Sequence, residues 1–268
     1  MRATFALCIL CLAALSPTAG RAAASVHLEE LTWTDVRDAL RAGATTVIIP
    51  VGGTEQNGPH MALGKHNVRV KALAGQIATT LGDALVAPVL AYVPEGAITP
   101  PSGHMRFVGT ISIPDAAFKS LLDGAARSLK QGGFAHVVLI GDHGGYQGLL
   151  AEVAARLNHD WAGTHTSAHF IADYYRVTQT AYLKALRSQG LSEAQIGTHA
   201  GLADTSLLMA LDAALVRVER LGAAHDEGAS SGTAGDPRAS SASLGRLGTE
   251  LIVARTVAAI RNARNTPR

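Results

Sequence analysis

The sequence predicts an α/β fold with a mainly parallel sheet covered by helices on both faces. Two observations carry this. Short β-branched runs alternate with stretches of helical period along the whole chain, and the runs are apolar almost throughout, as expected of strands buried on both sides. The size agrees: 268 residues, 47% of them hydrophobic and 16% charged, suffice for one sizeable core and exclude disorder.

The elements follow in order. Thr34-Asp35, then Val36 and Leu40 with a stop at Gly43, predicts a short capped helix. Residues 45–51 (TTVIIPV) form a buried-strand run that ends in a Gly-rich turn. Residues 67–81 carry Val68, Ala72, Leu73, Ile77 and Leu81 at helical spacing, and 84–93 (ALVAPVLAYV) is again strand-like. Pro- and Gly-rich 95–109 is expected as a loop. A helix over 114–131 ends at Gly132-Gly133 before the strand 136–141 (HVVLIG). Residues 147–161 are predicted helical and 166–172 a strand, with helices near 174–189, 203–215 and 243–262. The Ser-, Gly- and Ala-rich stretch 224–242 reads either as a mobile surface loop or as a loop that covers a site.

The amino terminus has the pattern of a secretory signal. One arginine precedes the 12-residue apolar run 5–16 (FALCILCLAALS), followed by Pro17 and a small-residue stretch, with cleavage expected after Gly20 or Ala24, of which Ala24 is preferred. Twelve residues are too few to span a bilayer, so residues 25–268 are expected as a single exported domain, most simply periplasmic. Both cysteines, Cys8 and Cys11, fall in that run. The mature chain then has no disulfide, thiolate nucleophile or Cys-ligated zinc. Of 23 basic residues, Arg2 and Arg21 also lie in the leader, and the remaining 21 balance the 21 acids. A neutral chain lacks the excess that drives binding to nucleic acid or anionic membrane, so a small-molecule substrate is expected.

In open α/β sheets ligands gather beyond the carboxyl ends of the strands. After the first strand comes Gly52-Gly53-Thr54-Glu55-Gln56-Asn57-Gly58-Pro59-His60, with His66 beyond it; after the central strand comes Gly141-Asp142-His143-Gly144-Gly145. A third segment, Gly197-Thr198-His199-Ala200-Gly201, leads into Asp204-Thr205-Ser206. A carboxylate with two imidazoles is a common set for Zn, Mn or Fe, and open coordination positions would hold a water of lowered pKa. The P-loop, dinucleotide and zincin signatures are absent from the sequence. Tyr146, next to the His143 turn, is the ring expected to face a flat substrate.

These segments resemble the creatininase (creatinine amidohydrolase) family. The resemblance runs through Pro50-Val51-Gly52, Glu55-Gln56-Asn57-Gly58-Pro59-His60, Phe107-Val108-Gly109-Thr110, Asp142-His143-Gly144-Gly145, His199-Ala200-Gly201, Asp204-Thr205-Ser206 and Gly235-Asp236-Pro237. It implies a three-layer α/β/α fold, often hexameric, with a metal centre that hydrolyses amides of small C–N substrates. Glu55 and His143 match family metal ligands. Asn57 stands where the family has a ligand histidine, His66 where it has an aspartate bridging two metals, Gly145 where creatininase has a further carboxylate, and Thr198 where a glutamate precedes the acid/base histidine, here His199. An imidazole is a poor bridge and an amide oxygen a weak ligand. One divalent ion per chain, held by Glu55, His66 and His143, is therefore expected rather than two. Asn57, His60, Asp142 and Asp204 are the candidates for additional ligands or supporting hydrogen bonds, and His199 for proton delivery to the leaving nitrogen. The departures also allow a non-catalytic periplasmic binding or assembly protein that has lost the metal site.

Overall fold

The computed structural model describes residues 25–266. The expected signal peptide and both cysteines lie outside the described residues. Among the described residues four parallel strands, β1 (Thr46–Val51), β2 (Ala84–Val86), β3 (His136–Gly141) and β4 (Ser167–Phe170), form one sheet in the order β2-β1-β3-β4. β1 and β3 pair along their whole length, from Thr46 opposite His136 to Val51 opposite Gly141. Every residue of β1 is buried. Its odd-numbered side chains, Val47, Ile49 and Val51, enter one core with Phe118, Leu122, Leu150, Val153 and Trp161; Ile48 enters the other with Val70, Leu73, Ile77 and Ile252. The described helices that flank the sheet are α1 (Trp33–Arg41), α2 (Lys65–Leu81), α3 (Asp115–Gln131), α4 (Gln147–Asp160), α5 (Asp173–Gln179), α6 (Ala181–Ser188), α7 (Glu193–Ile196), α8 (Leu202–Asp212), α9 (Leu221–Glu227) and α10 (Ala242–Asn265). α1, α3 and α4 cover the first core, and α2, α5, α6, α8 and α10 the second. The expected three-layer α/β/α architecture is what the chain adopts.

Several boundaries differ from the sequence expectation. The cap of α1 is Thr32 rather than Thr34, because Asp35 completes a reciprocal capping box only with a residue three positions earlier. The strand expected over 84–93 stops at Val86: Pro88 has no N–H for the ladder, and the chain rejoins β1 only at Leu90, which bonds Pro50 and Gly52. The helix expected over 174–189 breaks at Thr180 into α5 and α6, where the hydroxyls of Thr178 and Thr180 bond the carbonyls of Tyr175 and Arg176. α10 crosses α8 so closely that a Cβ at Gly245 would lie 1.8 Å from the Ser206 carbonyl oxygen, which fixes glycine there. The stretch 224–242 is no free loop. It comprises the end of α9 and two 3-10 turns, with Ala234 bridged to His199 and the Gly232 carbonyl accepting from Gln56 Nε2.

Candidate metal centre

The carboxyl ends of the two central strands build the site. β1 runs out into Gly52-Gly53, where close approach excludes any side chain: a Cβ on Gly52 would lie 2.2 Å from Asn67 Oδ1, and Gly53 has φ 154° with a would-be Cβ 2.5 Å from Glu95 Oε1. The chain then carries Glu55 inward before α2 begins. α2 starts at Lys65, two residues ahead of the apolar period, so Lys65, His66 and Arg69 lie on its buried first turns, ahead of Val70 and Leu73. β3 ends at Gly141 and presents Asp142 and His143. Tyr146 ties the two strand ends together: its hydroxyl accepts from the amides of Asp142 and His143 (3.1 Å each) and donates to the Val51 carbonyl (2.8 Å). Tyr146 is fully buried, so the expectation that its ring faces a substrate is corrected. Tyr175 and Tyr182 line the cavity instead.

Glu55 is fully buried, and four imidazoles converge on it. Oε1 lies 2.7 Å from His66 Nε2 and 3.9 Å from His199 Nδ1; Oε2 lies 3.1 Å from His104 Nε2 and 3.6 Å from His143 Nε2. Two ligand sets result, Glu55-His66-His143 and Glu55-His104-His199, each with donor atoms within 4.8 Å of one another. The first is the set expected from sequence. His104 lies in the segment expected as a plain loop, and its only sequence signal was its place three residues before Phe107-Val108-Gly109-Thr110. Glu95, also unforeseen, places Oε2 3.4 Å from His143 Nδ1.

Behind these groups stands a buried ionic network. Asp142 accepts from His66 Nδ1 (2.6 Å), Arg69 Nε (2.7 Å) and the Tyr174 hydroxyl (2.8 Å). Asp204 accepts from Arg69 Nη1 (3.0 Å), Lys65 Nζ (3.1 Å) and the Ala200 amide (3.1 Å). That last bond helps hold Ala200 at φ 53°, a left-handed conformation uncommon outside glycine, immediately after His199. Asn57 turns its amide nitrogen to the carbonyls of Glu55 (2.9 Å) and Ala62 (3.1 Å), and His60 pairs with the Thr205 hydroxyl (2.9 Å), so neither belongs to the two ligand sets.

Burial sets the protonation states. It lowers His143 to about 3 and His199 and His60 each to about 4, with the Lys65 charge adding to the effect, so all three imidazoles are neutral at pH 7. Burial and the adjacent Glu55 raise Glu95 to about 9, which keeps it a neutral acid. Burial also opposes ionisation of Glu55, but His66 and Lys65 outweigh it and hold its carboxyl well below the usual range. A stability profile follows for the metal-free protein. Below pH 6.5 the unfolded chain binds protons that folded His60, His143 and His199 refuse, so stability falls by about 1.4 kcal/mol per pH unit for each. Glu95 acts in the opposite sense, losing its contribution between pH 4.5 and 9. Thermal melting of chelator-treated protein is therefore expected to peak near pH 6.5, falling steeply toward pH 4 and shallowly toward pH 9; a flat profile from 4 to 7 would contradict these assignments.

Fit to a divalent cation rests on the donor chemistry. Glu55 Oε2 is buried and accepts no hydrogen bond. His66 has Asp142 on Nδ1, the carboxylate–histidine pairing that frees Nε2 for a cation. His143 is neutral and its Nε2 faces the same carboxylate. A cavity of about 220 Å³ opens on the centre, lined in part by Lys65, His104, Tyr175, Thr198 and His199.

Comparison with known proteins gives a consistent result. The family model described as creatinine amidohydrolase matches residues 29–260. The creatinine amidohydrolase of Pseudomonas putida is 29% identical over 202 residues, 74% of this chain and 76% of that protein. The mycofactocin precursor peptide peptidase of Mycolicibacterium smegmatis is 35% identical over 126 residues, 45% of this chain, and the match spans only about half, 48%, of that relative. A crystal structure of creatininase superimposes with a TM-score of 0.75 at 26% identity, covering 91% of this chain and all of that one. Similar solved structures include creatininases described as Zn–Zn type and as Mn forms.

Proposed function

The chain belongs to the creatininase family, and from that premise we propose that it is a metal-dependent amidohydrolase acting on a small amide or other C–N substrate. The observation that carries the reading is the fully buried Glu55 carboxylate, with four imidazoles around it and Oε2 accepting no hydrogen bond. Glu55, His66 and His143 would hold a single divalent ion, Zn, Mn or Fe. When bound, the cation supplies a Lewis acid that polarises a carbonyl oxygen and brings the pKa of a water toward neutrality.

The protein's own groups do the rest. Asp142 accepts the Nδ1 proton of His66 and fixes that ring; Arg69 and Tyr174 fix Asp142 in turn. Glu95 Oε2 stands 3.4 Å from His143 Nδ1, on the side of the ring away from Glu55. His199 Nε2 lies 3.0 Å from the Gln56 carbonyl, which places its proton there and leaves the Nδ1 lone pair facing the centre. From that position His199 takes a proton from the attacking water and returns it to the leaving nitrogen. Tyr175 offers ring surface to a flat substrate, and the cavity suits a molecule of about a dozen heavy atoms better than a long chain. The peptidase among the relatives supports including short peptide amides in the substrate class.

The test is hydrolysis of a panel of small cyclic and peptide amides, creatinine included, by chelator-stripped and reloaded protein. Turnover is expected only after reloading, and His199→Ala is expected to lower kcat by roughly 100-fold or more while still binding the ion. Turnover untouched by chelation, or metal uptake without turnover on any amide, would count against the reading. We further propose export through the 1–24 leader and assembly into a homo-oligomer, a hexamer by family likeness.

A further inference from the structure

The centre offers two ligand sets around one carboxylate, yet it already contains a fixed cation. Lys65, the residue before His66, is 1% exposed. Its Nζ lies 3.1 Å from Asp204 Oδ2 and 3.6 Å from Glu55 Oε1, the oxygen that His199 also faces. We propose that Lys65 is the built-in second cation of this centre, and that its ammonium limits the site to one divalent ion on Glu55, His66 and His143. The proposal rests on the metal reading above and goes beyond it by assigning a charge role to a residue outside the ligand set.

The charge balance supports it. Three carboxylates, Glu55, Asp142 and Asp204, are ion-paired with two fixed cations, Lys65 and Arg69. One divalent ion turns this single negative excess into a single positive one. A second ion would leave three uncompensated positive charges in a buried site, with Lys65 repelling it across the shared carboxylate. Lys65 is thus a positioning residue that supplies through a side chain the charge another ion would bring.

The experiment counts ions. Full-length mature protein is stripped, titrated with Zn and analysed for bound metal, alongside Lys65→Met, Lys65→Arg, His104→Ala and the Lys65→Met/His104→Ala pair. Wild type, Lys65→Arg and His104→Ala are expected to bind one equivalent with similar affinity. Lys65→Met is expected to bind the first ion at least tenfold more tightly and to take a second, which the added His104→Ala removes. Two ions in wild type, or one ion of unchanged affinity in Lys65→Met, would overturn the proposal while leaving the metal enzyme intact; no ion in wild type overturns the metal reading itself. Should Lys65→Met not fold, Lys65→Gln carries the same expectation. Should that variant fail too, the wild-type count and the neutrality of His104→Ala decide: two wild-type ions, or an ion lost with His104, overturn the proposal.

Discussion

Glu55→Gln is expected to lower divalent-ion affinity by about 100-fold or more and to take amide hydrolysis down with it. Losing a partner that merely orients a ligand typically costs metal sites 10- to 100-fold, and Glu55 is the carboxylate on which both imidazole sets converge. Gln preserves the shape of the side chain but removes the charge, and Lys65 keeps its contact with Asp204. The fold should therefore persist, as circular dichroism would show, while titration with Zn and elemental content report the loss. Retention of a full equivalent of metal at wild-type affinity would mean that the ion sits elsewhere.

Arg69→Met is expected to produce the largest fall in stability of any single change at the site. Arg69 is 3% exposed and answers two carboxylates at once, Asp142 and Asp204. Removing one partner of a buried ion pair leaves an uncompensated charge and costs about 3–5 kcal/mol. At about 2–4 °C per kcal/mol for a domain of this size, melting should fall by roughly 6–20 °C. Arg187, paired with Glu193 on the surface, provides the contrast: its replacement by Met is expected to leave melting unchanged, because solvent screens an exposed pair. Equal melting of the two variants would show that the Arg69 network contributes no more than a surface contact.

The fold is legible in the sequence because burial on both faces leaves a simple signature. β1 and β3 appear as uninterrupted apolar runs, and the polar clusters that directly follow them stand where an open α/β sheet gathers its ligands. Ends and breaks are harder to read. Pro88 truncates a run whose apolar character continues to Val93, and the Thr180 break depends on hydroxyl-to-backbone bonds within a stretch that is otherwise helical in period. At the site, Glu55, His66 and His143 do converge, since each directly follows a predicted strand or opens the next helix. His104 escapes sequence reasoning because a loop has no period to betray which side chain points inward. Lys65 and Arg69 escape it for a different reason. Charged residues on a helix usually face solvent, but Lys65 and Arg69 stand two turns and one turn ahead of Leu73 on the buried face of α2, where Asp142 and Asp204 receive them. A cation on the inward face of an otherwise apolar helix, one turn from a candidate ligand, is the signal that exposes them.

Everything proposed for this site depends on Glu55, His66 and His143 holding one divalent ion. Elemental analysis of untagged mature protein, purified without chelators and compared with His143→Ala, decides the matter. About one equivalent of Zn, Mn or Fe per chain is expected in the wild type, with a clear loss in the variant. A wild-type protein that contains no metal, even after supplementation, would refute the metal centre and leave a binding or assembly role as the reading of this fold.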